Sequence, residues 1–154
     1  SPRRHGGHGD LWGGVRSTLP GALPIDGVCP LLKHEPLTTQ IVGAAIDVHR
    51  ALGPGLLESV YEECLCFELG ERGLSFCRQL EVALVYKGRE LASNLRIDVL
   101  VEDTVVVELK SIAAVLPIHE AQLLTYLRLT NRDVRLLINF NVPTLKQGIV
   151  RRVL

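Results

Sequence analysis

Apolar and polar positions alternate with two different periods along residues 37–154, and the switches between them mark out the elements. Ile41, Ala44, Ala45, Val48 and Leu52 recur at helical spacing and predict an amphipathic helix. Thr38 or Thr39 stands where a cap is expected, and Gly53-Pro54-Gly55 ends the pattern. A second helix over about 57–72 follows, with Val60, Tyr61, Cys64, Leu65 and Leu69 as its inner stripe and Gly73 as its stop. Residues 75–86 (SFCRQLEVALVY) read as a strand, with a Lys87-Gly88 turn and a second strand segment after it. A hairpin over about 95–110 comes next. Pro117 opens a third helix, whose leucines Leu123, Leu124, Leu127 and Leu129 carry it to about Thr130. An apolar strand at 134–139, a short helical turn at 143–147 and a last strand at 149–153 complete the order ααβββαβ(α)β. That order predicts an α/β (α+β) domain with a mixed sheet and helices packed on it.

Composition changes this picture at the N-terminus. Residues 1–35 hold 7 of the 14 glycines and 4 of the 8 prolines, with no sustained periodicity. Such a segment buries too little to offset its chain entropy, so it reads as a disordered or non-core extension ahead of one domain over 36–154. His5 and His8 lie among its glycines and carry no metal argument of their own. Net charge is zero, with 17 basic and 17 acidic residues. Bulk electrostatics therefore offers no nucleic-acid footprint, although a local basic cleft is compatible with a neutral chain. No apolar run reaches the ~18 residues of a membrane span, and no apolar signal core is visible. Cys29, Cys64, Cys66 and Cys77 are spaced poorly for zinc. A soluble cytoplasmic protein with free thiols is the expectation.

Candidate chemistry concentrates in residues 96–110 (RIDVLVEDTVVVELK). Glu108 and Lys110 project from one face of a strand that three valines mark as buried. A carboxylate and an ammonium there cost several kcal/mol unless compensated. The hairpin turn decides where Asp98 stands. A two-residue turn puts Asp98 and Glu108 on opposite faces, whereas a three-residue turn over 102–104 sets them across from each other. Facing carboxylates invite a hard divalent cation, Mg²⁺ or Mn²⁺. A plain Asp/Glu/Lys ion-pair cluster answers the same spacing, and on spacing alone it is the stronger reading.

Further motifs shift that weight. An Asp, about ten residues, then Glu-x-Lys at the end of an apolar strand resembles the PD-(D/E)XK nuclease superfamily. Gln122-Leu123-Leu124-Thr125-Tyr126 is similar to the QhxxY motif of its RecB-like branch, with His119, Gln122 and Tyr126 on one helix face. Gly55-Leu56-Leu57-Glu58-Ser59-Val60-Tyr61 is similar to the signature of the GxxExxY proteins, and the likeness extends from about Leu37 to the C-terminus. Ile97 stands where the superfamily's motif name has proline.

The resemblance implies a restriction-endonuclease-like sheet and a metal-dependent phosphodiester hydrolase acting on DNA or RNA. In that reading Glu58, Asp98 and Glu108 are the metal residues, with the Leu109 carbonyl as a further ligand. Lys110 positions water, and Gln122 and Tyr126 orient the site or the nucleic-acid backbone. Arg96, Gln79 and His119 are substrate-contact candidates, with Arg78 either beside them or on the surface. The alternative is a non-catalytic module of the same fold that binds nucleic acid or protein, with homodimerisation through its helices. His49, alone on its helix, reads as a packing residue.

Overall fold

A computed structural model describes residues 34–92 and 95–154. The expected extension therefore lies outside the described residues except for His34 and Glu35. Helix α1 spans Glu35–Leu52. It starts earlier than a Thr38 or Thr39 cap would allow, because Pro36 is tolerated in the first turn, where its missing N–H leaves nothing unpaired. Thr38 is buried and donates its hydroxyl to the Glu35 carbonyl at 3.0 Å instead of capping. Gly53 closes the helix at φ +74, a region closed to most side chains, and donates its N–H to His49. Helix α2 spans Glu58–Glu71.

Both helices cover one face of the sheet. Ile41, Ala44, Ala45, Val48, Tyr61, Leu65 and Leu69 form the buried stripe. Two expected stripe members, Leu52 and Val60, lie at the rim, 39% and 37% exposed, where the helices overrun the core. Tyr61 ties the connecting loop down. Its ring stacks on Phe140 with centroids 4.3 Å apart, and its hydroxyl donates to the Gly53 carbonyl and accepts the Leu56 N–H.

The main sheet runs β1 (Phe76–Glu81), β4 (Arg96–Val101), β5 (Val105–Lys110), β6 (Val134–Asn139) and β7 (Ile149–Val153) in spatial order. Only β5 and β6 are parallel, and helix α3 (Pro117–Thr130) makes the crossover a parallel pair requires. Leu123 and Leu127 bury the inner side of α3, while Leu129 faces outward. The expected continuous strand over 75–86 is broken. After Glu81 the chain leaves the sheet, and β2 (Leu84–Tyr86) pairs with β3 (Arg89–Leu91) as a separate two-stranded hairpin around Lys87-Gly88. The apolar alternation runs through the break, so the pattern alone carries no sign of it.

A turn of 3₁₀ helix, Leu145–Gly148, links β6 to β7. Gly148 is required there: a Cβ would overlap the Asn139 carbonyl oxygen. Among the described residues, no helix is long and apolar enough to cross a membrane.

Candidate active site

The β4–β5 turn settles the register. Val101 pairs with Val105, Leu100 with Val106 and Val99 with Val107. Glu102, Asp103 and Thr104 are left as a three-residue turn, with Glu102 and Asp103 both at positive φ. Ser75 fastens the turn to the start of β1. Its N–H and hydroxyl both donate to the Glu102 carboxylate, holding that group below the usual carboxylate range. Continued, the register sets Asp98 against Glu108. Val105, Val106 and Val107 are fully buried, as three consecutive valines in a covered strand require.

Asp98 sits where the ladder is interrupted on both sides. The β4–β5 pairing stops at Val99, and the β1–β4 register passes from Arg78↔Val99 to Leu80↔Ile97 without Gln79. Gln79 stands at φ +50. The side chain of Asp98 takes over part of the missing pairing by accepting the Leu109 N–H at 2.9 Å. The interruption frees the acid from the sheet and turns it toward Glu108.

Glu108 is the most perturbed carboxyl of the site. Burial raises it, the charge of Asp98 raises it further, and its pKa stands at about 7 although Arg135 and Lys110 pull it down. One of its oxygens, Oε1, is buried without a hydrogen-bond partner among the described residues. Nη2 of Arg135 lies 3.2 Å from that oxygen, an ion-pair contact that falls short of hydrogen-bond geometry. Arg135 is 1% exposed, lies under the Tyr126 ring at 4.2 Å, and leaves its Nε and Nη1 unpartnered among the described residues. The Tyr126 hydroxyl is held above its usual pKa by burial and then by the Glu108 charge.

Most expected site residues converge on this pair. Lys110, His119 and Gln122 border a small crevice with Glu108 and Arg135, and Tyr126 closes it through Arg135. Gln79 approaches Asp98 with its amide 3.5 Å from Oδ1. Glu58 reaches the far side of the Lys110 strand end, where its carboxylate accepts the Ser111 N–H at 3.3 Å. Ser111 in turn donates its hydroxyl to the Leu56 carbonyl, so the start of α2 is pinned to the end of β5. Arg96 does not pair with Asp98 or Glu108. It points to the sheet edge and meets Glu81 at 3.4 Å, because those two residues are cross-strand partners. His49 is buried and hydrogen-bonds the Val142 carbonyl at 2.9 Å, a packing role.

Three positioning residues escape a reading of the sequence. Glu62 is 7% exposed, accepts from Gln79 at 2.7 Å and from Arg78 at 3.0 Å, and so steadies the amide that faces Asp98. Asn139 is 2% exposed and clamps both backbone groups of Ile112, fixing the loop that leaves Lys110. Arg135 is the third. Its signal was a lone charge inside the apolar run VRLLIN, in a strand covered on both faces.

The family model of the PD-(D/E)XK nuclease superfamily matches residues 35–153. The chain belongs to the PD-(D/E)XK nuclease superfamily. No curated protein and no solved structure matches it significantly. The mixed five-stranded sheet with its three helices is consistent with the superfamily's restriction-endonuclease-like fold.

Nucleases of this superfamily generally use a divalent metal, and the residues present can be tested against one. Two neighbouring carboxyl groups, of which Glu108 is raised by burial and by the charge of Asp98 and carries a buried oxygen unpartnered among the described residues, are a donor pair that suits a hard cation. Among the described residues, no group of three or more His, Cys, Asp or Glu side chains could hold an ion. Any further donor must therefore be backbone, water, substrate or a rotated Glu58.

Proposed function

We propose that this chain is a metal-dependent nuclease that hydrolyses phosphodiester bonds of DNA or RNA. The observation that carries this reading is the Asp98/Glu108 pair at the interruption of the sheet, with Lys110 beside it. Asp98 and Glu108 would hold Mg²⁺ or Mn²⁺, with the Leu109 carbonyl and Glu58 as further oxygen donors, Glu58 directly or through water. A bound divalent ion supplies Lewis acidity toward the scissile phosphate.

The chain's own groups do the rest. The Leu109 N–H holds the Asp98 carboxylate in one orientation. Glu108 must be deprotonated to act as a ligand, and with a pKa of about 7 it becomes so near neutral pH. The Lys110 ammonium orients the attacking water and stabilises the charge that develops on the phosphorane-like transition state. In this reading Gln122 and Tyr126 steady the crevice wall, and Gln79 and His119 would contact the substrate backbone. Glu58 and Tyr61 are the acid and the tyrosine of the segment that is similar to the GxxExxY signature. In this chain Tyr61 acts through the loop it ties down.

The second reading, a binding module without catalysis, draws on one observation. The Arg135 guanidinium already faces the Glu108 oxygen that a metal would use. Purified protein assayed on DNA and RNA with and without Mg²⁺ or Mn²⁺, beside Lys110→Ala and Asp98→Ala, separates the two. Metal-dependent cleavage lost in both variants supports the nuclease. Equal cleavage by all three proteins would be contamination and would sink the proposal.

A further inference from the structure

Among the described residues, the β2–β3 hairpin joins no core. Val85 and Tyr86 are 60% and 61% exposed, Leu91 is exposed as well, and none of the three joins a buried cluster. Strands of three residues joined by a tight turn are marginal in water when nothing covers them. The hairpin nevertheless has a defined register, Leu84↔Leu91, Val85↔Glu90 and Tyr86↔Arg89. Lys87 and Gly88 both take positive φ, as a two-residue turn of the primed kind demands.

The alternation of side chains sorts this ribbon. Leu84, Tyr86, Arg89 and Leu91 share one face, and Glu90 stands with Val85 on the other. The first face therefore carries an aromatic ring and an arginine at its tip, with no carboxylate. The Lys87 ammonium lies 5.5 Å from the centroid of the same ring.

Position gives the hairpin a purpose. It leaves the sheet directly after Glu81, whose partner across the ladder is Arg96, two residues from Asp98. The arm thus springs from the end of the sheet that holds the carboxylate pair. Even fully extended, the chain path from Asp98 through Arg96 and Glu81 to Lys87 spans at most about 32 Å. One helical turn of B-DNA is about 34 Å. A single duplex can touch the site and the arm together.

We propose that the β2–β3 hairpin is a substrate arm that enters the major groove of double-stranded DNA, with Lys87 and Arg89 on phosphates and Tyr86 against the groove wall. The proposal rests on the nuclease reading for the position of the cleft and adds the substrate class. A two-stranded ribbon fits the wide major groove of B-form DNA. The deep, narrow major groove of A-form RNA excludes it. Cationic groups alone on the tip face complement the phosphate backbone.

The test separates the arm from the cleft. Binding of fluorescent duplex DNA, duplex RNA and single-stranded DNA is measured by anisotropy in chelator over a salt series, for wild type, Lys87→Glu/Arg89→Glu and the milder Lys87→Gln/Arg89→Gln. Hydrolysis of bis(4-nitrophenyl) phosphate with Mn²⁺ is measured in parallel, since that small diester needs the cleft and not the arm. The expected result is tightest binding to duplex DNA. The Glu pair weakens it more than about tenfold and makes the plot of log K against log salt shallower by about 2, the loss of two phosphate contacts. The Gln pair shows the same change of slope with a smaller loss, and hydrolysis of the small diester by both variants equals that of wild type. Unchanged affinity and slope in both variants overturns the arm, as does equal or tighter binding of duplex RNA or single strands. Absence of small-diester hydrolysis in every protein, together with the expected binding losses, defeats the nuclease reading and leaves the arm standing.

Discussion

The two faces of the sheet are built for different ends. Under α1 and α2 lies an almost purely aliphatic layer, in which Val99, Val101, Val105, Val107, Leu109, Leu136 and Ile138 meet Ile41, Leu65 and Leu69. Under α3 the apolar cluster shrinks to Ile97, Leu100 and Val106, and the same strands present Glu108, Lys110 and Arg135 instead. One face gains stability from dispersion and water exclusion. The other accepts desolvated charge, including a carboxyl raised to about pH 7 and a guanidinium with two unpartnered nitrogens. A sheet that is well supported on one side tolerates costly polar groups on the other. Fold and chemistry can therefore be perturbed separately, and four experiments press on that division.

The largest effect is expected from Lys110→Ala. Turnover should fall by about 10²–10³-fold, with a melting temperature close to that of wild type. A large loss of stability in this variant would erase the distinction between the faces. On the opposite face, Leu65→Ala should cost about 2–5 kcal/mol by denaturant unfolding, with the rate per folded molecule unchanged. A changed rate would mean that the two layers are mechanically one.

The third effect is pH-dependent. Glu108 has a folded pKa of about 7 against an ordinary 4.5, so between those values the folded state binds the extra proton. Stability of the metal-free protein should therefore be greatest at and below about pH 4.5 as far as this group is concerned, fall as pH rises, and level off above 7, by on the order of 3 kcal/mol. Comparing melts of wild type and Glu108→Gln isolates the term. An identical pH slope in both would assign it elsewhere. Arg135→Leu should move the midpoint upward by removing the charge that lowers it. The smallest effect belongs to Glu62→Gln. Loosening Gln79 at Asp98 should weaken Mn²⁺ binding about tenfold by calorimetry, with no change at the aliphatic face.

Much of this was legible in the chain. The helix and strand order followed from the periods, and the parity argument at residues 102–104 fixed which turn would bring Asp98 to Glu108. That argument worked because a strand's side-chain period is two, so a single turn residue decides the face. The hairpin at 84–91 was not legible, because LEVALVY alternates whether or not it stays in the sheet, and only tertiary packing makes the choice. The buried stripes were overextended to Leu52 and Val60, since a stripe has no mark for where its partner surface ends. Arg135 and Glu62 were missed for a common reason. Glu62 is an ordinary charged residue locally and Arg135 a lone charge in an apolar run, and the value of each comes from neighbours distant in sequence, Arg78 and Gln79 for the first and Glu108 and Tyr126 for the second.

Gly148 lies outside the crevice, yet it constrains the centre. Its backbone presses on the Asn139 carbonyl, and the Asn139 side chain grips Ile112, two residues past Lys110. A methyl group added at 148 cannot be absorbed by a flexible neighbour, because the obstacle is main chain. The displacement must pass along β6 into the loop that leaves Lys110. A position that touches no candidate site residue thereby acts as a mechanical stop for one, and a screen for loss of activity should recover substitutions there that act by leverage.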